Sequence, residues 1–520
     1  MTVAVTERGA AMDESPTPFE EALNKTGNGL YNYLLASTSA LILLAIGVDL
    51  FGFSLVVAAA CELKLSLSQK GILTSIPFIG ILLVSYAWGY ISDIKGRRFT
   101  LVLSMGTAFV LSCLSCLSPN WICLAVLKFL SVCFSCASHS ATYTLVGESC
   151  IQRVRSKYMV MMTCLLLLSS GVGGVLAYPT LKLNFSIALP ILNIMFRPWR
   201  LLIIVMAIPS GIGGLAIYFF HESPKFLANS GRTDEAVHVL KRIFEINHRG
   251  SKEEFCIKSV LLEEESTKKE MSFMRSIYEQ SATLFRPPFL WRTLQLYYLI
   301  AVVYITNNTF LIWLPHILDM VRQNLESSSA TKGNICSLIS TDPVTAASLK
   351  VFNNTDIFNS TITVERPAEC SSGVEDNVVF TLVISQCIFT VLNFVISYLP
   401  NYRKMVLITI LCLSSLSGVC LNLMPEPIPS VFFFVTFGCT CLGMGILASY
   451  FVDMYPTSYR GMVACLSIMV GRSSAFVGIN IVGNLLFNYC QITFYAWSLL
   501  VFSAVVVAYF LPPDKVVKSG

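Results

Sequence analysis

Four ionisable side chains, Asp49, Lys128, His139 and Arg472, stand in stretches otherwise almost free of charge. A charge surrounded by apolar chain costs about 3 kcal/mol or more unless it is paired or faces water, so each is a candidate for function. Asp49 lies roughly 22 Å into its apolar run at about 1.5 Å per helical residue. It suits a cationic solute or a coupling proton. Arg472 suits an anionic group, or an ion pair with Asp49 that serves structure alone. Lys128 joins them as a substrate or coupling-ion candidate, and His139 reads equally as a hydrogen-bonded packing residue. A further apolar run offers Tyr304, Asn307, Asn308 and Trp313, polar and aromatic groups suited to a small organic ligand. Trp313 also fits an interfacial anchor.

These residues are carried by an unusually oily chain. Its 520 residues are 54% hydrophobic and 13% charged, with a mean hydropathy of +0.67. Soluble domains carry roughly 25% charged residues. The expected class is an all-α membrane protein, because apolar runs of about 20 residues recur. They fall near 34–60, 71–92, 99–118, 120–146, 156–179 and 199–220, then near 293–316, 377–399, 404–424, 429–452, 461–486 and 490–511. Ser118-Pro119-Asn120 divides the third from the fourth. The polar N-terminus lacks a basic region before a short apolar core, so the first run is expected to direct insertion.

Lys and Arg in short loops orient the chain. Lys95, Arg97 and Arg98, then Arg153, Arg155 and Lys157, then Arg403, Lys404 and Arg460 collect on one face. That face is expected to be cytoplasmic, with both termini and the linker. The expected divisions are a tail at 1–33, six helices in 34–220, a linker at 221–290, six helices in 291–512 with an outer loop at 319–376, and a tail at 513–520. In the linker, Ser223-Pro224 suits a helix start, and Val237, Leu240, Ile243 and Phe244 recur at helical spacing. The outer loop holds Cys336 and Cys370, an expected disulfide, and the acceptor patterns at Asn353 and Asn359. A disulfide and glycans belong to a lumenal or extracellular face.

The charged segments repeat. Glu148 precedes Arg155 as Asp453 precedes Arg460, at an offset of 305 residues. Arg97-Arg98 and Arg403-Lys404 correspond at nearly the same offset, as do SSGVGG at 169–174 and SSAFVG at 473–478. The chain reads as two related six-helix halves in one orientation.

With this plan, G-x-x-x-D-x-x-G-R-R through Gly89, Asp93, Gly96, Arg97 and Arg98 resembles the loop signature of the major facilitator superfamily. ESPKFL at 222–227 and DMYPTSYRG at 453–461 resemble segments of sugar porters, organic cation transporters and synaptic vesicle glycoprotein 2 relatives. A long glycosylatable loop between the seventh and eighth runs is similar to that of the last group. The resemblance implies the twelve-helix, two-repeat fold. It also implies that Asp93 meets the start of helix eleven near Gly461 while Arg97 and Arg98 hold Glu148. Asp453 and Arg460 would repeat this in the second half, with Arg155 in the same cytoplasmic gate. The plainer reading of the loop is an orientation signal. The chain departs from the relatives in span four, where Lys128 takes an Arg place and Val132, Phe134 and Cys136 replace glycines. Packing there is expected to differ.

No phosphate-binding loop, zinc-ligand spacing or nucleophile elbow is present, so no cofactor, metal or enzymatic step is expected. The modest net charge of +5 gives no reason to expect a nucleic-acid partner. The expected function is secondary transport of a small organic solute by alternating access, driven by a proton, cation or membrane-potential gradient. The other reading is a transporter-fold glycoprotein that binds without turnover. The bilayer is that of the plasma membrane or of a secretory or synaptic-type vesicle.

Overall fold

In the bilayer core every backbone N–H and C=O needs an internal partner, so apolar spans fold as helices. Among the described residues, the computed structural model contains twelve helices long and apolar enough to cross a membrane, in two sets of six. The first set is Leu30–Ala59, Ser68–Lys95, Arg97–Ser115, Trp121–Ser149, Gln152–Leu181 and Pro198–Tyr218. The second is Leu290–Leu318, Val379–Ile396, Arg403–Leu423, Ile428–Tyr450, Leu466–Leu485 and Cys490–Tyr509. They are numbered here as spans one to twelve. The structure describes residues 17–249, 255, 257, 259–261, 282, 284–287, 289–326, 335–336, 376–396, 402–455, 457–486 and 488–512.

Local chemistry sets the joints. Ser66 and Gln69 form a reciprocal capping box ahead of span two, satisfying donors that the first helical turn leaves open. Asn120 Oδ1 accepts from the Cys123 amide at 2.8 Å, so the polar triplet splits spans three and four by capping the latter. Gly96 turns the chain between spans two and three at φ 105°, a region that L side chains disfavour.

Within the first set, span one packs on spans five and six, and span three on spans four and six. Within the second, span seven packs on eleven and span nine on twelve. Spans two and eleven form one seam between the sets, and spans five and eight form the other. Span four does pack without the missing glycines. Span two supplies the small residue instead: a side chain at Gly80 would crowd the Phe129 carbonyl at 3.3 Å and Cys133 Sγ at 3.2 Å. Trp88 then donates to the Cys133 carbonyl at 2.7 Å and meets Phe134 edge-on.

Outside the spans, Pro224–Asn229 and Thr233–Asn247 are helices, as the linker pattern predicts. The segment expected to be a plain tail is more structured. Thr17–Pro18 pairs in parallel with Val260–Leu261, and helix Phe19–Lys25 buries Phe19, Ala22 and Leu23. Asn247 fastens this layer: its amide donates to Asn32 Oδ1 at 2.7 Å and its oxygen accepts from the Tyr31 amide at 3.1 Å. A short hairpin, Ile187–Leu189 with Ile194–Phe196, joins spans five and six.

The outer loop requires one correction. Cys336 is bonded to Cys490, at the head of span twelve, rather than to Cys370. The helix of span seven runs on to Glu326, and Ile335 and Cys336 are buried in a core cluster that draws residues from both sets. Cys336 therefore sits beside span twelve, where Cys490 faces the same core. Cys370, Asn353 and Asn359 lie outside the described residues.

Candidate functional site

The mid-membrane charges separate into two places. Lys128 Nζ lies 2.5 Å from Asp49 Oδ1 and donates to the Asp49 carbonyl at 2.8 Å. Ser112 donates to the same carboxylate oxygen at 3.0 Å. The backbone explains the second bond. The helix of span one is interrupted between Phe51 and Phe53, which releases carbonyls that a continuous helix would use. Phe51 O then takes the Ser54 hydroxyl and Asp49 O takes Lys128. Both ionic side chains are buried. Asp49 thus pairs within its own set and not with Arg472, a correction to one reading of the sequence.

Arg472 is the sixteenth residue of the twenty-nine-residue helix Thr457–Leu485. It faces the junction of the two sets. Its guanidinium carbon lies 5.5 Å from the Phe78 ring of span two and 5.9 Å from the Tyr304 ring of span seven. His139 and Cys136 of span four are within electrostatic reach. Among the described residues no carboxylate lies within ion-pair distance of Arg472, and its Nε is sealed without an acceptor.

The span-seven candidates divide likewise. Tyr304 is held beside Arg472, since a side chain at Gly471 would meet its ring at 2.7 Å. Asn308 is buried and donates to the Tyr304 carbonyl at 2.9 Å, within its own helix. Asn307 lines a small open pocket with Ser385, Gln386, Phe389 and Phe434. Trp313 is buried rather than interfacial and donates to the Ile479 carbonyl of span eleven at 3.1 Å.

The seam of spans two and eleven is tight towards the outer loop: Gly71 approaches the Gly483 backbone, and Asn480 donates to Ser75 at 2.9 Å. Leu50, Phe78, Ile312 and Ile479 form an apolar plug beside it. Gly89 lies further along span two, with open space where a side chain would stand.

On the linker face, Arg97 Nε lies 3.1 Å from Glu148 Oε2 and its Nη2 lies 3.1 Å from Asp93 Oδ1. The Arg97 guanidinium also lies over the Phe226 ring. The described partner of Asp93 is therefore a cation of its own loop, and its side chain remains 63% exposed. Arg98 turns instead to the Tyr218 carbonyl at 2.5 Å. Arg155 meets Glu20 of the N-terminal helix at 3.4 Å rather than Glu148. The side chains of Asp453 and Arg460 lie outside the described residues.

In this cluster Glu222 had no role in the sequence reading, and Ser223 only that of a helix start. Glu222 accepts the amides of Arg97 at 2.8 Å, Arg98 at 2.9 Å and Phe99 at 3.3 Å. A carboxylate here satisfies the open donors and positive dipole end of span three. Ser223 donates to Glu148 and accepts from the Phe226 amide at 3.0 Å. The ESPKFL segment carried the signal, but only as a helix start. Next to it, burial lowers the His221 pKa, with nearby His238, Arg98 and Arg242 acting in the same direction. Arg200, also unassigned from sequence, is fully buried and donates to the carbonyls of Cys116 and Ser118 at the end of span three.

A family model described as "Major Facilitator Superfamily" matches residues 38–350. Mus musculus "Synaptic vesicle glycoprotein 2B" is 25% identical over 247 residues, 47% of this chain and 36% of the relative. Homo sapiens "Synaptic vesicle glycoprotein 2A" is 26% identical over 247 residues, 47% of this chain and 33% of the relative. The matches thus span about a third of the length of these curated relatives. Among solved structures, the partially occluded inward-open conformation of the xylose transporter XylE from E. coli is similar with a TM-score of 0.63. That match covers 93% of this chain and 100% of that one at 11% identity. The inward-open conformation of the same transporter also gives 0.63, with 94% and 98% covered at 12% identity. At such identity the likeness concerns the fold.

Proposed function

The chain belongs to the Major Facilitator Superfamily, and from that premise we propose that it is a secondary transporter moving a small organic solute by alternating access. The observation that carries this reading is the set of charges in the membrane-spanning region: the buried Asp49–Lys128 pair and, at the boundary of the two sets, Arg472, which has no carboxylate within ion-pair distance among the described residues. The seam of spans two and eleven is closed near the outer loop, where Gly71 approaches Gly483 and Asn480 donates to Ser75. In this proposal the linker face and both termini are cytoplasmic and the outer loop is lumenal or extracellular. The described state is then inward-facing. The divisions at 34–220 and 291–512 are the two bodies that rock about the plug.

Asp49 and Lys128 are the proposed coupling pair. A proton arriving on Asp49 removes the charge that holds Lys128, and spans one, three and four then repack. The desolvated pair is costly unless both members are charged or both neutral, which ties protonation to conformation. Tyr304, Asn307 and Arg472 are the proposed solute contacts. Arg97, Glu148 and Glu222 hold the linker-side end together.

The test is uptake into liposomes containing the purified full chain, with imposed pH and potential gradients and a panel of organic anions, organic cations and sugars. Saturable uptake that follows a gradient is the expected result. Binding without flux under any gradient would instead support a ligand-binding glycoprotein of the same fold.

A further inference from the structure

The connection between spans five and six has an unusual composition. From Leu183 to Phe196 it contains no ionisable side chain, while Lys182 and Arg197 stand at its two ends. It folds as a hairpin in which Ile187 pairs with Phe196 and Leu189 with Ile194. Asn193 closes the tip at φ 52°, a left-handed conformation that asparagine adopts more readily than most side chains. Turns in water are built from Gly, Asn, Asp, Ser and Pro. Here Pro190 and Asn193 keep that chemistry, but the residues between them are Ile191 and Leu192. Ile191 is 97% exposed, and Leu183, Ile187, Leu192 and Met195 are exposed with it.

Part of the hairpin packs on protein. Ile194 is buried, and Phe196 lies against the core and stacks on Phe185 with ring centroids 6.1 Å apart. The rest of its apolar surface needs a cover of matching chemistry, and its position supplies one. The connection begins directly after Leu181 of span five and ends directly before Pro198 of span six, so its base lies where both helices leave the bilayer. Lys182 there donates to the Tyr178 hydroxyl at 2.6 Å and lies over its ring, and Arg197 reaches Glu62 at 3.9 Å. Tyrosine and basic side chains at span ends are membrane-interface groups. Cations thus stand at the level of lipid phosphates, and the uncharged tip matches acyl chains.

The backbone limits the depth. The hairpin is a sheet of two strands, so among the described residues the outward edges of both have no strand beside them. Open edges are costly in the hydrocarbon core. The boundary of headgroups and acyl chains still admits water to the backbone while covering apolar side chains.

We propose that this hairpin is a membrane anchor, with Ile191 and Leu192 seated in the lipid leaflet on the outer-loop side and Lys182 and Arg197 at its phosphates. It ties spans five and six, and through span five the seam with span eight, to that leaflet. The anchor does not depend on the transport reading.

The test uses the full chain in phosphatidylcholine nanodiscs, with a single nitroxide attached through p-azidophenylalanine in place of Ile191. Separate proteins carry it at Leu192 and at Lys241, an exposed residue of the linker helix. Collisions with oxygen, which concentrates in lipid, are compared with collisions with a water-soluble nickel chelate. The oxygen-to-nickel ratio at 191 and 192 is expected to exceed that at 241 at least about fivefold, as for a group about 5–10 Å into the headgroup–acyl boundary. A ratio at the tip equal to that at 241 would place the hairpin in water and overturn the proposal. Few collisions with either reagent would mean that protein covers the tip, from residues 319–376 or a second copy, and would overturn it equally. With the nitroxide moved to Ile187, the double variant Ile191→Asp, Leu192→Asp should lower the ratio roughly threefold as the charged tip leaves the lipid. An unchanged ratio there would remove the tip as the anchor.

Discussion

The two sets of six helices handle the same basic pair in different ways. After span two, Arg97 meets two carboxylates and Glu222 collects three backbone amides. Before span nine, Arg403 donates to the Ser449 hydroxyl at 3.0 Å and lies over the Tyr450 ring. Lys404 donates to the Leu511 carbonyl at 2.7 Å. One cluster is ionic and rests on the linker through Glu222, Ser223 and Phe226. The described contacts of the other include a hydroxyl of span ten and a carbonyl beyond span twelve. What distinguishes the first loop is the linker, whose Glu222 receives the opening amides of span three.

Breaking the buried acid should give the largest effect. Glu148→Gln leaves Arg97, whose side chain is 11% exposed, with only the exposed Asp93 as a charge partner, and should destabilise the protein by about 2–3 kcal/mol. Thermal denaturation in detergent checks it, and an unchanged midpoint would remove Glu148 as a support of the linker face.

Glu222→Ala should come next, at about 1–2 kcal/mol, because span three loses its N-terminal acceptor. Hydrogen exchange at Arg97, Arg98 and Phe99 should rise while exchange in Arg403–Leu423 remains unchanged. A global increase would mean that Glu222 supports the whole fold rather than one helix start.

The smallest effect concerns pH. Burial lowers the His221 pKa, so folding favours its neutral form. That contribution is present above the unfolded pKa of about 6.5 and is lost as pH falls towards the lower folded value. Protease resistance of the linker helices should therefore decline modestly below about pH 6.5. His221→Gln should flatten the decline, and an unchanged profile would remove His221 as its source.

The spans were legible because a bilayer demands about 20 apolar residues at each crossing, and the linker helices because Val237, Leu240, Ile243 and Phe244 share one spacing. The partners of charges were much less legible. Asp49 and Lys128 are 79 residues apart, and no local pattern shows that spans one and four meet there or that a helix break frees a carbonyl. Arg97 with Glu148 followed from family resemblance, whereas Glu222 looked like part of a helix start. Cys490 was hidden because a cysteine at the head of an apolar span reads as a small hydrophobe. Burial of Phe19 and Leu23 depends on the linker helix they pack against, which FEEALNK alone does not announce.

The claim that joins these parts is that Asp49 couples proton entry to rocking of the two sets. Asp49→Asn tests it most directly in liposomes loaded with a solute identified in the uptake panel, by comparing counterflow exchange with uptake driven by a pH gradient. The account predicts that the variant retains exchange, which shows a folded and moving carrier, and loses gradient-driven accumulation. A variant that exchanges and still accumulates solute to the wild-type level would contradict it.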